Sequence, residues 1–281
     1  MVDRKIALIT GASSGMGLAA SIALLRAKYY VVMLCRDSSR GEAARQQAIK
    51  ESGQSQAEVL LCDLASLDSI RNSASLFKER HTHLDVLINN AGVVSTKRHT
   101  TVDGFERMIG VNHLGHFLLT NLLLEKLQAA KQGRIITVSS GAHKVGDIHF
   151  PDPHLTNHFG LIKGYAQSKL ANILFTNTLA VLLADTNVTA NSLHPGAVST
   201  SLGVNRTTGF GKGIHSLLRP FFQSPAKGAD TAIYLATDPH MSAISGAYFY
   251  KRQIASTSKR AQDRNLADSL WKWSKEEVGL E

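Results

Sequence analysis

The sequence predicts an α/β fold, a doubly wound parallel sheet of about seven strands with helices on both faces. Two observations predict it. Apolar runs alternate with helical patterns at regular distances, which is typical of successive strand–helix–strand units. The runs are also almost continuously apolar, as in Val-Val-Met-Leu-Cys at 31–35. Strands that are buried on both faces have this composition.

The individual elements follow from these runs. Strands are expected near residues 5–10, 30–35, 57–62, 85–89, 133–139, 188–194 and 246–250. Helices are expected near residues 16–27, 39–51, 67–80, 103–130, 161–184 and 226–237. With no linker, repeat or low-complexity tract between them, the simplest organisation is a single domain over residues 1–281.

Two irregular stretches interrupt the alternation, residues 141–160 and 196–225. Both follow predicted strands, so both are expected at the carboxyl edge of the sheet, where such folds bind ligands. They would shape a substrate pocket there; the alternative is that they are mobile surface loops.

Composition excludes several functional classes. The 281 residues are 43% apolar and 19% charged, as in ordinary globular proteins. No apolar run approaches the ~20 residues of a membrane span, and the N-terminus lacks the pattern of a secretion signal. A cytoplasmic protein without a membrane anchor is therefore expected.

The net charge is +9, but no Lys/Arg run is longer than two, so we expect no nucleic-acid partner. The His and Cys residues do not have the spacing of a zinc site, so we expect no metal.

A tyrosine and a lysine form the first chemical motif. Tyr165 and Lys169 lie four residues apart in a predicted helix, so one turn brings phenol and ammonium to the same face. A nearby cation favours the phenolate and moves the tyrosine pKa from about 10 toward the range of a general acid–base group. Ser139 and Ser140 end the apolar run before this helix, where a hydroxyl could polarise a carbonyl group.

A glycine-rich turn near the N-terminus forms the second motif. Gly11, Gly15 and Gly17 lie between a predicted strand and a predicted helix. Glycine allows positive φ and close backbone approach, and the N-terminus of the helix attracts a pyrophosphate. The turn therefore indicates a dinucleotide site, although a glycine turn without a ligand is an alternative. With the serine, tyrosine and lysine, it indicates hydride transfer to or from a carbonyl carbon.

These motifs, in this order, resemble those of the short-chain dehydrogenase/reductase family. Thr-Gly-Ala-Ser-Ser-Gly-Met-Gly at 10–17 resembles its cofactor turn, and Asn-Asn-Ala-Gly at 89–92 its second signature. Tyr165 and Lys169 match its active site, and Pro195-Gly196 its nicotinamide loop. Val-Ser-Ser-Gly-Ala-His at 138–143 and Asn-His-Leu-Gly-His-Phe at 112–117 are most similar to the retinol-dehydrogenase-like branch. The resemblance implies a Rossmann-like fold and a homo-oligomer as a possible assembly.

The resemblance also implies roles for four catalytic residues. Tyr165 would exchange a proton with the substrate oxygen, and Lys169 would lower the tyrosine pKa and hold the nicotinamide ribose. Ser140, 25 residues before Tyr165, would stabilise the oxyanion, and Asn112 would anchor a water near Lys169. The implied cofactor-binding residues are Gly11, Ser13, Ser14, Gly15, Met16, Gly17, Arg36, Asp63, Leu64, Asn89, Asn90, Ala91, Gly92, Tyr165, Lys169, Pro195, Gly196, Val198 and Thr200.

The end of the second strand predicts the cofactor. NAD enzymes place an acidic residue there, whereas a 2′-phosphate requires a cation. In the register that the family resemblance implies, Cys35 occupies the acidic position and Arg36 follows it. This predicts NADP (NADPH), with Ser13 or Arg40 assisting; Asp37 is an imperfect competitor. The predicted function is an NADP-dependent oxidoreductase for an apolar aldehyde, ketone or alcohol. The alternative is a non-catalytic NADPH-binding sensor or scaffold protein.

Residues 202–222 could form an apolar lid over the substrate, or simply pack on the core.

Overall fold

A computed structural model describes residues 4–196 and 224–281, in which a single sheet of eight strands lies between helices. The strands are β1 (Ile6–Thr10), β2 (Tyr30–Cys35), β3 (Ala57–Leu61), β4 (Val86–Asn89), β5 (Gly133–Val138), β6 (Val188–His194), β7 (Tyr248–Tyr250) and β8 (Gln253–Ile254). The α-helices are α1 (Gly15–Arg26), α2 (Ser38–Ser52), α3 (Leu67–Arg80), α4 (Arg107–Ile109), α5 (Gly115–Gln128), α6 (Leu161–Leu182), α7 (Pro225–Thr237) and α8 (Arg264–Val278).

The strand order confirms the predicted fold class. The order across the sheet is β3-β2-β1-β4-β5-β6-β7-β8. All neighbouring pairs are parallel except β7 and β8, which are antiparallel. The chain moves outward from β1 to β3 and then returns to place β4 on the other side of β1. This reversal produces the crevice where doubly wound sheets bind ligands, at the carboxyl ends of β1 and β4.

The apolar strands are explained by burial on both faces of the sheet. Leu8 and its neighbour Leu87 contribute to one core, which packs against α3, α5 and α6. Ile9 and its neighbour Ile88 contribute to the other core, which packs against α1, α2 and α7. Because successive side chains point to opposite faces, a strand that is covered on both faces is apolar at most of its positions.

The helix expected over residues 103–130 begins later and is interrupted. The buried carboxylate of Glu106 accepts hydrogen bonds from the N–H groups of Met108 (2.9 Å) and Ile109 (3.0 Å), so this residue caps the helix that starts at Arg107. A turn of π-helix, Gly110–Leu114, then separates α4 from α5. Such turns are rare in proteins overall, and those that occur often lie at functional sites.

Two C-terminal elements, β8 and α8, are absent from the elements predicted above. Helix α8 packs on α6, and Trp271 lies against Phe117 and Phe175, with ring centroids 4.9 and 5.9 Å away. Apolar spacing at Ala267, Leu270 and Val278 was a usable signal, together with the capping residues Asp263 and Gly279.

The described ranges contain neither a membrane-spanning helix nor a metal-binding cluster. No helix within 4–196 or 224–281 is long and apolar enough to cross a bilayer. In the same ranges, no three His, Cys, Asp or Glu side chains come together in a way that could hold a metal ion.

The packing of α8 yields a stability prediction. Leu270 is 1% exposed, so Leu270→Ala should lower the free energy of unfolding by ~2–5 kcal/mol through lost burial and the resulting cavity. Lys272→Ala, at an exposed position of the same helix, should change it by less than about 0.5 kcal/mol. Urea denaturation measures both. Equal effects of the two substitutions would show that α8 does not belong to the cooperative core.

Candidate active site

The predicted functional residues come together because parallel strands end at one edge of the sheet. Asp63 follows β3, Arg36 follows β2, and the glycine turn follows β1. On the other side of the crevice, Asn90 follows β4 and Ser140 lies just beyond β5. Residues far apart in sequence therefore lie along one edge of the sheet, which is the edge where folds of this kind bind ligands.

The glycine turn is shaped for close approach. Gly11 and Gly15 have positive φ, +65° and +58°, which favours glycine over other residues. A Cβ added at Gly17 would overlap the carbonyl oxygen of Gly11 and lie 2.8 Å from Asn90 Nδ2. The turn leads directly into α1, whose N-terminus lies at the cavity described below, so a phosphate can approach both backbone N–H groups and the helix dipole.

The hydroxyl of Thr10 ties this turn to the loop after β4. Thr10 Oγ1 accepts hydrogen bonds from the N–H groups of Asn90 and Ala91, each at 2.9 Å. The side chain of Asn90 donates in return to the carbonyl oxygen of Thr10 at 2.7 Å. The two motifs predicted to bind one cofactor are thus held together by three hydrogen bonds.

A buried histidine extends this network to the π-helical turn. His116 Nδ1 lies 3.0 Å from the carbonyl oxygen of Asn112, and Nε2 lies 2.8 Å from Thr10 Oγ1. A carbonyl oxygen only accepts, so Nδ1 carries the hydrogen, and the neutral ring accepts the Thr10 hydroxyl hydrogen at Nε2. Burial lowers the pKa of His116 to about 4, which agrees with a neutral ring.

The side chain of Asn112 contacts two other elements of the fold. It is fully buried, and it binds both the N–H (2.7 Å) and the carbonyl oxygen (3.0 Å) of Val93 and donates to Ser168 Oγ (3.0 Å). It therefore joins the loop after β4 to α6. Its interactions within the described residues are with protein atoms, and the water-anchoring role stays a prediction.

A cavity of about 410 Å³ lies along the carboxyl edge from β3 to β4. Its lining includes most of the predicted cofactor residues: Gly11, Ser13, Ser14, Gly15, Met16, Arg36, Asp63, Leu64, Asn90, Ala91 and Gly92. Arg40, Arg107 and Val111 also line it, and sequence reasoning gave the last two no role. Asn89 does not: it is fully buried, and its side chain donates to Thr120 Oγ1 at 2.9 Å. Because side chains alternate along a strand, Asn89 points into the core and Asn90 can face the cavity.

The β2 end of the cavity is rich in cations. Arg36 and Arg40 line it, and within the described ranges neither guanidinium forms a side-chain hydrogen bond or ion pair. Asp37 also lines it, but its carboxylate accepts a hydrogen bond from Arg40 N–H at 2.8 Å and caps α2. Cys35 is buried, which raises the pKa of its thiol to about 11 and keeps it uncharged. This end therefore presents two guanidinium groups, an uncharged thiol and a carboxylate that caps α2.

The two serines after β5 have different surroundings. Ser139 is buried, and its hydroxyl donates to the carbonyl oxygen of Lys169 at 2.6 Å. Ser140 is partly exposed; its hydroxyl accepts from Ala142 N–H at 3.2 Å and lies close enough to Tyr165 to lower the pKa of that phenol. Ser139 thus fixes α6 to the sheet, and Ser140 is the hydroxyl placed beside the tyrosine.

Lys169 and Tyr165 share one face of α6, as predicted. Lys169 Nζ lies 5.7 Å from the centre of the tyrosine ring and donates to the carbonyl oxygen of Val138 at 3.0 Å. Burial lowers the pKa of Lys169 to about 8. The predicted lowering of the tyrosine pKa by this ammonium is not what the structure shows. Burial raises the pKa of Tyr165, and the opposing contribution comes from the hydrogen bond with Ser140.

The strand β6 leads into the last predicted segment. Gly196 has a φ of +84°, and its N–H donates to His194 Nδ1 at 3.3 Å, which fixes a turn beside Pro195. Val198, Thr200 and the candidate lid at 202–222 lie outside the described residues.

With this geometry in place, comparisons with known proteins define the family. Residues 5–209 match the family model for short chain dehydrogenases. Human retinol dehydrogenase 14 is 43% identical, over 100% of this chain and 88% of the relative, and human retinol dehydrogenase 13 is 41% identical, over 100% and 86%. A solved structure of an uncharacterized protein from Mycobacterium paratuberculosis has a TM-score of 0.80 and 35% identity, over 99% of this chain and 94% of the other. The chain belongs to the short-chain dehydrogenase/reductase family of oxidoreductases, and it is similar to retinol dehydrogenases.

The Thr10 network predicts a contrast between two buried threonines. Thr10→Val should lower the free energy of unfolding by ~1–3 kcal/mol, because it leaves the N–H groups of Asn90 and Ala91 without an acceptor. Thr137→Val should be neutral or stabilising, since the buried Thr137 hydroxyl has no hydrogen-bond partner among the described residues. Urea denaturation compares them. A cost for Thr137→Val equal to that for Thr10→Val would contradict the assigned network.

Proposed function

We propose that the chain is an NADP-dependent oxidoreductase that transfers hydride between the nicotinamide and an apolar carbonyl or alcohol substrate. The observation that carries the proposal is the contact of Ser140 with Tyr165, one helical turn from buried Lys169. Ser140 lies just after β5. This strand pairs with β4, and the loop after β4 lines the cavity. A protonated phenol and a second hydroxyl beside a dinucleotide site are suited to a reacting carbonyl oxygen.

The chain's own residues supply acid–base chemistry and positioning. A bound NADPH supplies the hydride. In reduction, Tyr165 gives its proton to the substrate oxygen, and the raised pKa keeps that proton on the phenol at neutral pH. Ser140 donates a hydrogen bond to the same oxygen as negative charge develops. Lys169 would hold the nicotinamide ribose, with its ammonium anchored on the carbonyl oxygen of Val138.

Two features of the cavity support NADP over NAD. Arg36 and Arg40 both line the end beside β2, and guanidinium groups bind phosphate through charge-assisted hydrogen bonds. Asp37, the nearest carboxylate in sequence, is used as the cap of α2. A solved RhlG/NADP complex from Pseudomonas aeruginosa has a TM-score of 0.68 and 25% identity, over 87% of this chain and 93% of that one.

The relatives support an apolar substrate. Proteins named retinol dehydrogenase match over essentially the whole chain, and retinol is a largely hydrocarbon alcohol. We infer an alcohol or aldehyde of this apolar class. A cytoplasmic location and a homo-oligomer remain predictions from the sequence.

The main alternative is a protein that binds NADPH without turnover. Such a sensor or scaffold needs the glycine turn and the arginines but has no use for a phenol, a hydroxyl and a buried ammonium in one group. The complete group favours an enzyme, and a turnover assay distinguishes the two functions.

The catalytic roles predict different outcomes for three residues. Tyr165→Phe should lower turnover by ~100-fold or more, because it removes the transferable proton. Ser140→Ala should lower turnover by ~100-fold by removing an oxyanion donor. Ser139→Ala, which loses a structural hydrogen bond, should retain turnover within about tenfold. Initial rates of NADPH oxidation with an apolar aldehyde measure all three. Near-normal turnover in Tyr165→Phe would falsify the assignment.

The cavity cations predict a selective loss of affinity. Arg36→Ala should weaken NADPH binding by about 10–100-fold, which corresponds to one charge-assisted interaction, and leave NADH binding nearly unchanged. Lys50→Ala, at an exposed position in α2, controls for the loss of a positive charge. Equilibrium fluorescence titration gives the dissociation constants. A parallel loss for both cofactors would place the 2′-phosphate elsewhere.

The lowered pKa of Lys169 predicts a pH dependence. The ammonium is present below its pKa of about 8 and is lost as pH rises through that value, so reduction should slow above about pH 8. The pKa of Tyr165 is raised and cannot account for this change. In Lys169→Arg the guanidinium stays charged. This variant should reduce the substrate more slowly than the wild type, but its rate should not decline near pH 8. The same decline in Lys169→Arg would assign it to another group.

A further inference from the structure

The C-terminal segment 257–262, here called the C-terminal clasp, lies against the loop that carries Ser140. The N–H of Ser258 donates to His143 Nε2 at 3.3 Å. Arg260 donates to the Asp147 carboxylate at 2.8 Å. The clasp therefore holds the loop after β5 at two points, although the two segments are more than a hundred residues apart in sequence.

The two contacts of the His143 ring define its tautomer. His143 Nδ1 lies 2.7 Å from the carbonyl oxygen of Ser140, which can only accept, so Nδ1 carries a hydrogen. The N–H of Ser258 can only donate, so Nε2 carries none. A neutral imidazole satisfies both partners at once. Burial, with a further contribution from the charge of Lys144, lowers the pKa of His143 and favours that form.

These contacts fix the backbone of Ser140. Its carbonyl oxygen accepts from both the N–H of His143 (3.2 Å) and its ring, while the Ser140 hydroxyl accepts from Ala142 N–H. The ring of Tyr248 packs edge-on against the imidazole, with centroids 5.0 Å apart, which restricts its rotation. The one hydrogen of the Ser140 hydroxyl is thereby left for a substrate oxygen.

The clasp is itself anchored to the catalytic helix. Ala261 is fully buried, and its carbonyl oxygen accepts from Asn177 Nδ2 of α6 at 2.9 Å. The contact between Ser258 and His143 is therefore made from a fixed position.

We propose that His143 is a positioning residue for Ser140, and that the C-terminal clasp keeps its ring in the required orientation through the N–H of Ser258. The proposal rests on the proposed function of Ser140 as the oxyanion donor. It gives the C-terminal segment a part in catalysis although it lines no part of the cofactor cavity.

A matched pair of substitutions in the full chain tests the proposal. Ser258→Pro removes the backbone N–H, whereas Ser258→Ala keeps it and loses only the side-chain hydroxyl. Ser258→Pro should lower kcat by about fivefold, the effect of one neutral hydrogen bond, with KM and the NADPH dissociation constant unchanged. Ser258→Ala should retain the wild-type kcat. Circular dichroism melting curves verify that both variants are folded.

A double-mutant cycle gives the readout that a general structural role would not produce. His143→Asn keeps a donor for the Ser140 carbonyl oxygen but has no atom at the Nε2 position. It should lose about as much kcat as Ser258→Pro, and the double variant should lose no more than either single variant. Additive losses, or equal kcat in Ser258→Pro and Ser258→Ala, would overturn the proposal. Should Ser140→Ala itself retain full turnover, the proposed function fails first, so the two failures are distinguishable.

Discussion

Parallel pairing of the strands is the constraint on which the candidate site depends. It places the carboxyl ends of β1 through β6 on one edge, so that the glycine turn, Arg36 and Ser140 lie along that edge without being close in sequence. The same pairing demands apolar residues on both faces of each strand, and two separate cores result. Fold stability and site geometry therefore have a common origin, and a change that shifts a strand register would move the site residues as well.

Buried polar contacts convert this shared edge into a defined geometry. Thr10 holds the loop after β4 against the glycine turn, and His116 carries the connection to Asn112. Asn112 reaches α6 through Ser168, one residue before Lys169. These four side chains, Thr10, His116, Asn112 and Ser168, are buried and hydrogen-bonded, so each has one orientation that satisfies its partners. The glycine turn and α6 are thereby linked through the protein interior.

Much of this arrangement was predictable from sequence, because it depends on local patterns. Continuous apolar runs predicted the strands, and the four-residue spacing placed Tyr165 and Lys169 on one face. Other features depend on the surroundings of individual side chains, which sequence patterns do not specify. The raised pKa of Tyr165 reflects burial, and the use of Asp37 as a helix cap depends on its orientation. Asn89 was assigned to the cofactor by its motif, yet its side chain faces the core. The contact between Ser258 and His143 joins distant segments and has no local signature.

Hydride transfer from the cofactor to the substrate carbon can be followed with isotope-labelled NADPH. The protein would be incubated with NADPH that carries deuterium at both C4 positions and with a long-chain apolar aldehyde, and the product alcohol analysed by mass spectrometry. Direct transfer predicts an alcohol one mass unit heavier than the product formed with unlabelled NADPH. An unlabelled alcohol, or NADPH binding without any alcohol formed, would contradict the account.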